Sequence, residues 1–357
     1  MHTVAEFRIT FSRILDPDGT LVAPLPAFAQ PAEAVIPLYR AILLTRRFDA
    51  KAVALQRTGR LGTYPSSLGQ EAVGVGIAAA MGADDVLVPS YRETAAMLGR
   101  GVNLLELLLL WGGDERGNDF AGPRQDFPVS IPVGTHALHA AGAAYAFKLR
   151  GEKRAAVAVF GDGATSKGDV AEALNVAGAW RLPVVFVTID NQWAISVPRA
   201  RQTAAETLAQ KAIAAGIPGL QVDGNDVIAV RAVVERALGA AREGEGPALI
   251  EALSYRLSDH TTADDASRYR PAEEVSRRWR EEPAARLRHY LAEAGVWSKD
   301  DEERTIAEID AEVEAAVAAY EATPARDPAT IFDHLYAELP GPLRAQKATL
   351  AGGESDG

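Results

Sequence analysis

The sequence predicts an α/β fold: a parallel sheet with helices on both faces. Three observations carry this. AAVAVF (155–160) and PVVFVTI (183–189) are unbroken apolar runs, the pattern of strands buried on both faces rather than one. Between them lies GDVAEALNVAGAW (168–180), with small and apolar residues at helical spacing. The order then repeats, with VIAVRAVVERALGAAREG (227–244) followed by PALIEALSY (247–255), so successive units are strand, helix, parallel strand.

The remaining elements follow in chain order. Residues 1–35 read as an extended arm, with FRITF alternating and DPDG at 16–19 making a turn. From 36 to 60 the pattern is helical, with Leu44, Phe48, Ala52 and Leu55 near one face. Residues 61–135 alternate short helices with glycine-rich loops. Among the loops is the long polar stretch 112–128, a length that is usually functional or mobile. HAAGAAYAFKLR (139–150) is a helix whose small residues permit close approach to a sheet. The loops at 161–168, 190–197 and 256–270 follow strands and share the sheet's carboxyl edge, where ligands bind in open α/β sheets. Residues 272–323 are charged amphipathic helices. The apolar stripe Ile306, Ile309, Val313 and Tyr320 must pack on this chain or a partner. The expected organisation is an N-terminal arm (1–35), an α/β domain with C-terminal helices (36–341) and a disordered tail (342–357).

Composition excludes several functions. With 357 residues, 48% of them hydrophobic, the chain can bury a sizeable core. A net charge of −11 argues against a nucleic-acid surface. There is no cysteine, so disulfides and thiolate metal sites are ruled out. MHTVAEFRITFSRILDPDG lacks the basic-then-apolar order of a signal peptide, and NLLELLLLW (103–111) is too short to span a bilayer. The expectation is a soluble, cytoplasmic protein.

GDGATSKGD (161–169) directly follows the first buried strand and places an acid, Asp162, between two glycines. A nucleoside-triphosphate loop needs GxxxxGK followed by Ser or Thr. Here Asp169 follows Gly168, so that reading fails. A dinucleotide fingerprint fits Gly161 and Gly163 but not Gly168, although Asp190 ends the next strand where a ribose-binding acid would stand. A third reading uses the acid. Asp162 repels a diphosphate unless a cation lies between them, and Mg²⁺ takes one or two protein oxygens plus substrate phosphates. Asn191, on the next carboxyl-edge loop, supplies a neutral oxygen. The plain alternative is a tight turn with Asp162 capping a helix.

The whole stretch from Gly161 to Ser196 resembles the thiamine-diphosphate motif, GDG followed about thirty residues later by NN. More closely, the chain is similar to alpha subunits of the decarboxylating component of 2-oxo acid dehydrogenases. The resemblance runs over 35–345 and includes RLGTYPSSLGQEAVGVG (60–76), VPSYRE (88–93), GTHALHAAGAAYAFKL (134–149), SYRLSDHTTADDASRYRP (254–271) and IFDHLYAELPGPLRAQ (331–346). It implies the thiamine-diphosphate-binding fold, with thiamine diphosphate and Mg²⁺ as cofactors. Asp162, Asn191 and the Trp193 carbonyl match the metal ligands, and Tyr91, Arg92 and Arg256 the diphosphate contacts. The turn Gly161, Asp162, Gly163 and Ala164 lies along the cofactor. Ile131 and Val133 match main-chain contacts to the aminopyrimidine, and His260 the histidine at the active-site mouth. The family's NN is DN here, with Asp190 first, which leaves Asp190 either in the metal shell or tuning its charge.

His260 lies in a polar loop between Arg256 and the acids Asp264 and Asp265, a setting for an acid, a base or a diphosphate-orienting group. That loop has little apolar content and is expected to order when an anion joins its cations. His136 and His139 open a helix, where packing is the plainer role. By the resemblance, the chain decarboxylates a 2-oxo acid and passes the acyl group to a lipoyl arm of an acyltransferase component. It does so with a beta subunit, in a tetramer of two alpha and two beta chains. The beta subunit supplies the glutamate that activates the aminopyrimidine. The helix at 139–150 and the stripe at 306–320 are the candidate contact faces. GQEA (69–72) and the short 112–134 region point to pyruvate. Branched-chain 2-oxo acids or acetoin are the alternatives, and a nicotinamide-dependent oxidoreductase or a non-catalytic assembly subunit are the competing classes.

Overall fold

The computed structural model describes residues 1–352. Its strands are β1 (Thr10–Ser12), β2 (Val86–Val88), β3 (Ala156–Gly161), β4 (Val184–Asp190), β5 (Trp193–Ala194), β6 (Val197–Pro198), β7 (Gly219–Asp223) and β8 (Ala248–Leu253). Its helices before the central strands are α1 (Ile36–Arg57), α2 (Glu71–Ala80), α3 (Thr94–Arg100), α4 (Leu104–Trp111) and α5 (His136–Arg150). After β3 come α6 (Gly168–Ala179), α7 (Lys211–Ala214) and α8 (Val227–Arg242). The chain then runs through α9 (Ala272–Arg278), α10 (Pro283–Glu293), α11 (Lys299–Ala322) and α12 (Gly341–Gly352).

Six strands form one sheet in the order β1-β7-β8-β4-β3-β2, every neighbouring pair parallel. Alternate residues of the central strands feed two cores. Val157, Val159, Val185, Val187 and Ile250 join the core formed with α1, α2 and α8. Ala156, Ala158, Phe160, Val184 and Phe186 join the core formed with α5 and α6. Both faces are therefore covered, which is why these strands carry no polar alternation. In α5 the residues facing that core are Ala137, Ala140, Ala141, Ala144 and Phe147, so the small side chains do bring the helix close to the sheet.

The arm contributes β1, which pairs with β7 at the sheet edge. It is held by Asp226, whose Oδ2 accepts from the Ile14 and Leu15 amides at 2.6 and 2.7 Å. Only the end of the alternating FRITF, Thr10 and Phe11, lies in this strand, and its pairing is with residues more than 200 positions away. Two expectations need correction. The stripe on α11 is not free for a partner: Ile309, Val313 and Val317 are buried in the main core, and the Tyr320 hydroxyl donates to the Arg60 carbonyl at 3.0 Å. The region from 342, expected to be disordered, carries α12, since LRAQKATLA is a run of good helix formers. Residues 353–357 of that expected tail lie outside the described residues. No helix among the described residues is long and apolar enough to cross a membrane.

Candidate functional site

The carboxyl ends of β3, β4 and β8 open into one cavity of about 210 Å³. Gly161, Asp162, Gly163 and Ala164 enter from the turn after β3, and Asn191 and Trp193 from the segment after β4. Arg256 and His260 come from the loop after β8, and Tyr91 and Arg92 from the turn between β2 and α3. Val133 also lines it, while Ile131 does not and is 57% exposed. The segment is held to the sheet at Ser130, whose amide donates to Pro89 at 3.4 Å, and only Val133 returns to the cavity. His136 is buried with Nε2 donating to the Val159 carbonyl at 2.8 Å, and His139 stacks on Phe127; neither reaches the cavity. A larger open groove, about 670 Å³ between the ends of α4 and α11, gathers none of the predicted site residues.

Local backbone geometry explains the residue types. A Cβ on Gly163 would sit 2.7 Å from that of Ala194, so only glycine lets the turn approach the β5–β6 hairpin. Gly161 has open space where its Cβ would stand, leaving main chain accessible to a ligand. Gln192 and Ile195 hold φ values of 73° and 56°, unusual for residues with side chains. They bracket Trp193 and set its carbonyl on the cavity side, where Arg256 Nη1 donates to it at 3.0 Å.

The site is electrostatically unbalanced. Arg256 is 1% exposed, and its other contacts are the Ile195 carbonyl at 2.8 Å and the Tyr269 hydroxyl at 3.1 Å. Its buried Nε has no partner. Burial, and then the neighbouring Arg92, push Arg256 down to about 10. Arg92 donates to the Ser66 carbonyl at 2.6 Å, the His260 carbonyl at 2.8 Å and His260 Nδ1 at 3.2 Å. Accepting at Nδ1 requires His260 to be neutral with its proton on Nε2. Burial, then Arg92 and Arg256, push its pKa down to about 4. Two guanidiniums thus share a cavity without a carboxylate ion-paired to either among the described residues, and such a site calls for an anion.

The acids behave accordingly. Burial raises Asp162 above the ordinary carboxylate range, against the opposing bond that Gln202 donates at 2.6 Å. A cation beside it would restore its charge. Asn191 Nδ2 donates to Gln70 Oε1 at 3.1 Å, and its Oδ1 accepts from the Trp193 amide at 3.2 Å. The anionic, carboxamide and carbonyl oxygens of Asp162, Asn191 and Trp193 make a hard donor set suited to Mg²⁺. Asp190 does not line the cavity. Its carboxyl lies 3.4 Å from Arg199 and accepts from the Gln192 amide at 3.2 Å. Burial, Asp162 and Glu251 raise its pKa. Asp190 therefore stands outside the cavity lining, whether read as a metal ligand or as a ribose-binding acid.

Several lining residues were not predicted. Gln70 and Glu93 stand in the quoted stretches GQEA and YRE, and Ser90, Ile189, Ala194 and Ile195 complete the wall. Glu93 accepts from the Arg92 amide at 3.0 Å, and burial pushes it up to about 7. The 256–270 loop, expected to order on an anion, makes polar contacts of its own. Arg270 donates to the Ser258 carbonyl at 2.9 Å, the Ala266 amide to Asp259 at 2.9 Å, and the His260 amide to Asp264 at 3.0 Å.

Residues 39–329 match the family model described as the dehydrogenase E1 component. The chain is 44% identical to the 3-methyl-2-oxobutanoate dehydrogenase subunit alpha of Mycobacterium tuberculosis, over 95% of this chain and 92% of that protein. It is 37% identical to the pyruvate dehydrogenase E1 component subunit alpha of Staphylococcus aureus, over 94% and 90% of the two chains. The same identity and coverage hold for the Staphylococcus epidermidis protein of that name.

Proposed function

Because the chain belongs to the dehydrogenase E1 component family, we propose that the cavity is the alpha-subunit half of a thiamine-diphosphate site. The chain is an alpha subunit of a 2-oxo acid dehydrogenase. One observation supports the cofactor reading above the others: Arg92 and Arg256 share the cavity without a carboxylate paired to either, next to the donor set Asp162, Asn191 and Trp193.

In this reading Asp162, Asn191 and the Trp193 carbonyl hold Mg²⁺. Arg92 and Arg256 neutralise the diphosphate, with Tyr91 packed against the Arg92 guanidinium. Thiamine diphosphate, when bound, supplies the nucleophilic carbon and the electron sink for decarboxylation. His260 keeps its proton on Nε2 and offers it as a hydrogen-bond donor at the mouth, because Arg92 occupies Nδ1. A cavity of about 210 Å³ is smaller than the roughly 300–1,000 Å³ of complete small-molecule pockets. That supports a site completed by a beta subunit, in a tetramer of two alpha and two beta chains serving a lipoyl-bearing acyltransferase. The outward face of α5, with Leu138, Tyr145 and Leu149 exposed beside Trp180, is the contact face that remains. The reading places the chain in the cytoplasm.

For the substrate, a branched-chain 2-oxo acid fits at least as well as pyruvate, the first expectation. The higher identity is to a protein named for 3-methyl-2-oxobutanoate. GQEA, taken as a sign of pyruvate, places Gln70 against Asn191, on the metal side of the cavity, so it does not report on the substrate. The assembled alpha and beta subunits should be assayed with 3-methyl-2-oxobutanoate and with pyruvate. A kcat/KM at least ten-fold higher for the branched acid is expected. The reverse preference would return the reading to pyruvate.

A further inference from the structure

Helix α1 grips the turn 64–71 at two points one helical turn apart. Asp49, 3% exposed, accepts from Ser66 Oγ at 2.7 Å, the Ser67 amide at 2.6 Å, Ser67 Oγ at 3.2 Å and the Tyr64 hydroxyl. Arg46 pairs with Glu71 at 2.9 Å, and the other oxygen of Glu71 accepts from the Gly69 amide at 2.9 Å. The far side of the same turn meets the cavity. The Ser66 carbonyl accepts from Arg92 at 2.6 Å. Tyr64 pairs with Thr262 through both main-chain groups, its amide donating to Oγ1 at 3.0 Å and its carbonyl accepting from the Thr262 amide at 2.9 Å. The turn therefore places the one backbone carbonyl outside the His260 loop that, among the described residues, holds the Arg92 guanidinium, and it docks that loop as well.

An acid is a costly choice at this position. No cation pairs with Asp49 among the described residues, and burial pushes it up to about 6. A buried carboxylate with no counter-charge is retained only where its hydrogen bonds matter. All four of those bonds go to one turn, whose far side holds Arg92 and the His260 loop.

We propose that Asp49 is a positioning residue for Arg92: through residues 64–67 it sets where the guanidinium stands in the cavity, and with it His260. The proposal rests on the cofactor reading above. Outer partners of this kind support the groups that touch a ligand, and their loss costs roughly 10–100-fold in affinity at metal sites.

The test uses the assembled enzyme with Mg²⁺, comparing wild type, Asp49→Asn, Tyr64→Phe, Arg92→Met and the double variant Asp49→Asn/Arg92→Met. Thiamine-diphosphate Kd is read by calorimetry, Tm separately, and KM for the cofactor against kcat. Asp49→Asn should raise Kd and cofactor KM about ten-fold, by a larger factor than kcat falls. Tyr64→Phe should move Kd in the same direction by less. In the Arg92→Met background, Asp49→Asn should weaken binding no further, the mark of two residues acting through one contact. A Kd within two-fold of wild type with a lowered Tm would overturn the proposal, leaving Asp49 a folding residue. Where Asp49→Asn does not assemble, Tyr64→Phe decides on the same criterion. Wild-type enzyme that binds no thiamine diphosphate would overturn the cofactor reading, and this proposal with it.

Discussion

Arg256 and Arg286 are both all but inaccessible, at 1% and 2% exposure, yet they are held in opposite ways. Arg286 donates to Asp223 at 2.7 Å and to the Leu15 carbonyl at 3.2 Å, and Arg13 reaches the same Asp223 oxygen at 2.7 Å. Its charge is answered inside the chain. Arg256 has two carbonyls and a phenol and no ion pair. A buried cation satisfied by a carboxylate ties elements together, whereas one left to neutral acceptors is poised for an anion from outside. The two sit on the same edge of the sheet, so position alone would not have told them apart.

Removing each charge should separate the two roles. The largest effect belongs to Arg286→Met, which should destabilise the chain by about 3 kcal/mol, the low end for a broken buried pair because Arg13 still faces Asp223. Chemical denaturation reads this, and cofactor affinity well below Tm should be preserved. Next is Asp162→Ala, which removes the anionic ligand of the proposed Mg²⁺ site. Thiamine-diphosphate affinity should fall more than about 100-fold, beyond what supporting residues cost, with the fold intact by circular dichroism. Arg256→Met should weaken the cofactor roughly ten-fold, about the loss of one charge-assisted contact. Cofactor-free stability should change by less than about 1 kcal/mol, because an uncompensated cation leaves with its hydrogen bonds. Equal destabilisation by Arg256→Met and Arg286→Met would erase the distinction.

The smallest effect is on the pH dependence of stability. The ordinary histidine value is 6.5, and folding moves His260 to about 4. Between those values the unfolded chain binds a proton that the folded chain refuses, so His260 lowers stability as pH falls from about 6.5 to about 4. His260→Gln should flatten that part of the stability curve in the cofactor-free protein. Bound diphosphate, by answering Arg92 and Arg256, should flatten it in wild type too. An unchanged slope in the variant would place the titration elsewhere.

The sheet's centre was legible because β3, β4 and β8 are buried on both faces and are apolar except at Thr188, Asp190 and Glu251. β2 and β7 were not. β2 is three residues after a polar turn, and β7 reads GLQVD, half-buried and mixed in character. Within the site, Asp162, Asn191, Arg92, Arg256 and His260 were readable from motif and spacing, and the structure brings them to one cavity. Asp49 carried no such signal. It lies within an amphipathic helix, and its importance arises from a turn fifteen residues on that folds back against it. Ile131 is marked by the motif for its main chain alone, and its side chain stands 57% exposed outside the cavity lining.

β1 has a consequence for how the chain is made. Its partner strand lies about 210 residues further along, as the Arg13–Asp223 contact shows. A ribosome adding about 5–20 residues per second needs roughly 10–40 s to supply that partner. During this time FRITF has an alternating, strand-prone sequence with nothing to pair with. Meanwhile β2, β3 and β4, neighbours in the sheet, emerge in order. The arm therefore closes the sheet late, over an edge that its neighbours have already built. Late docking of a terminal strand leaves that edge as the part of the nascent protein most open to capture by another unfolded chain.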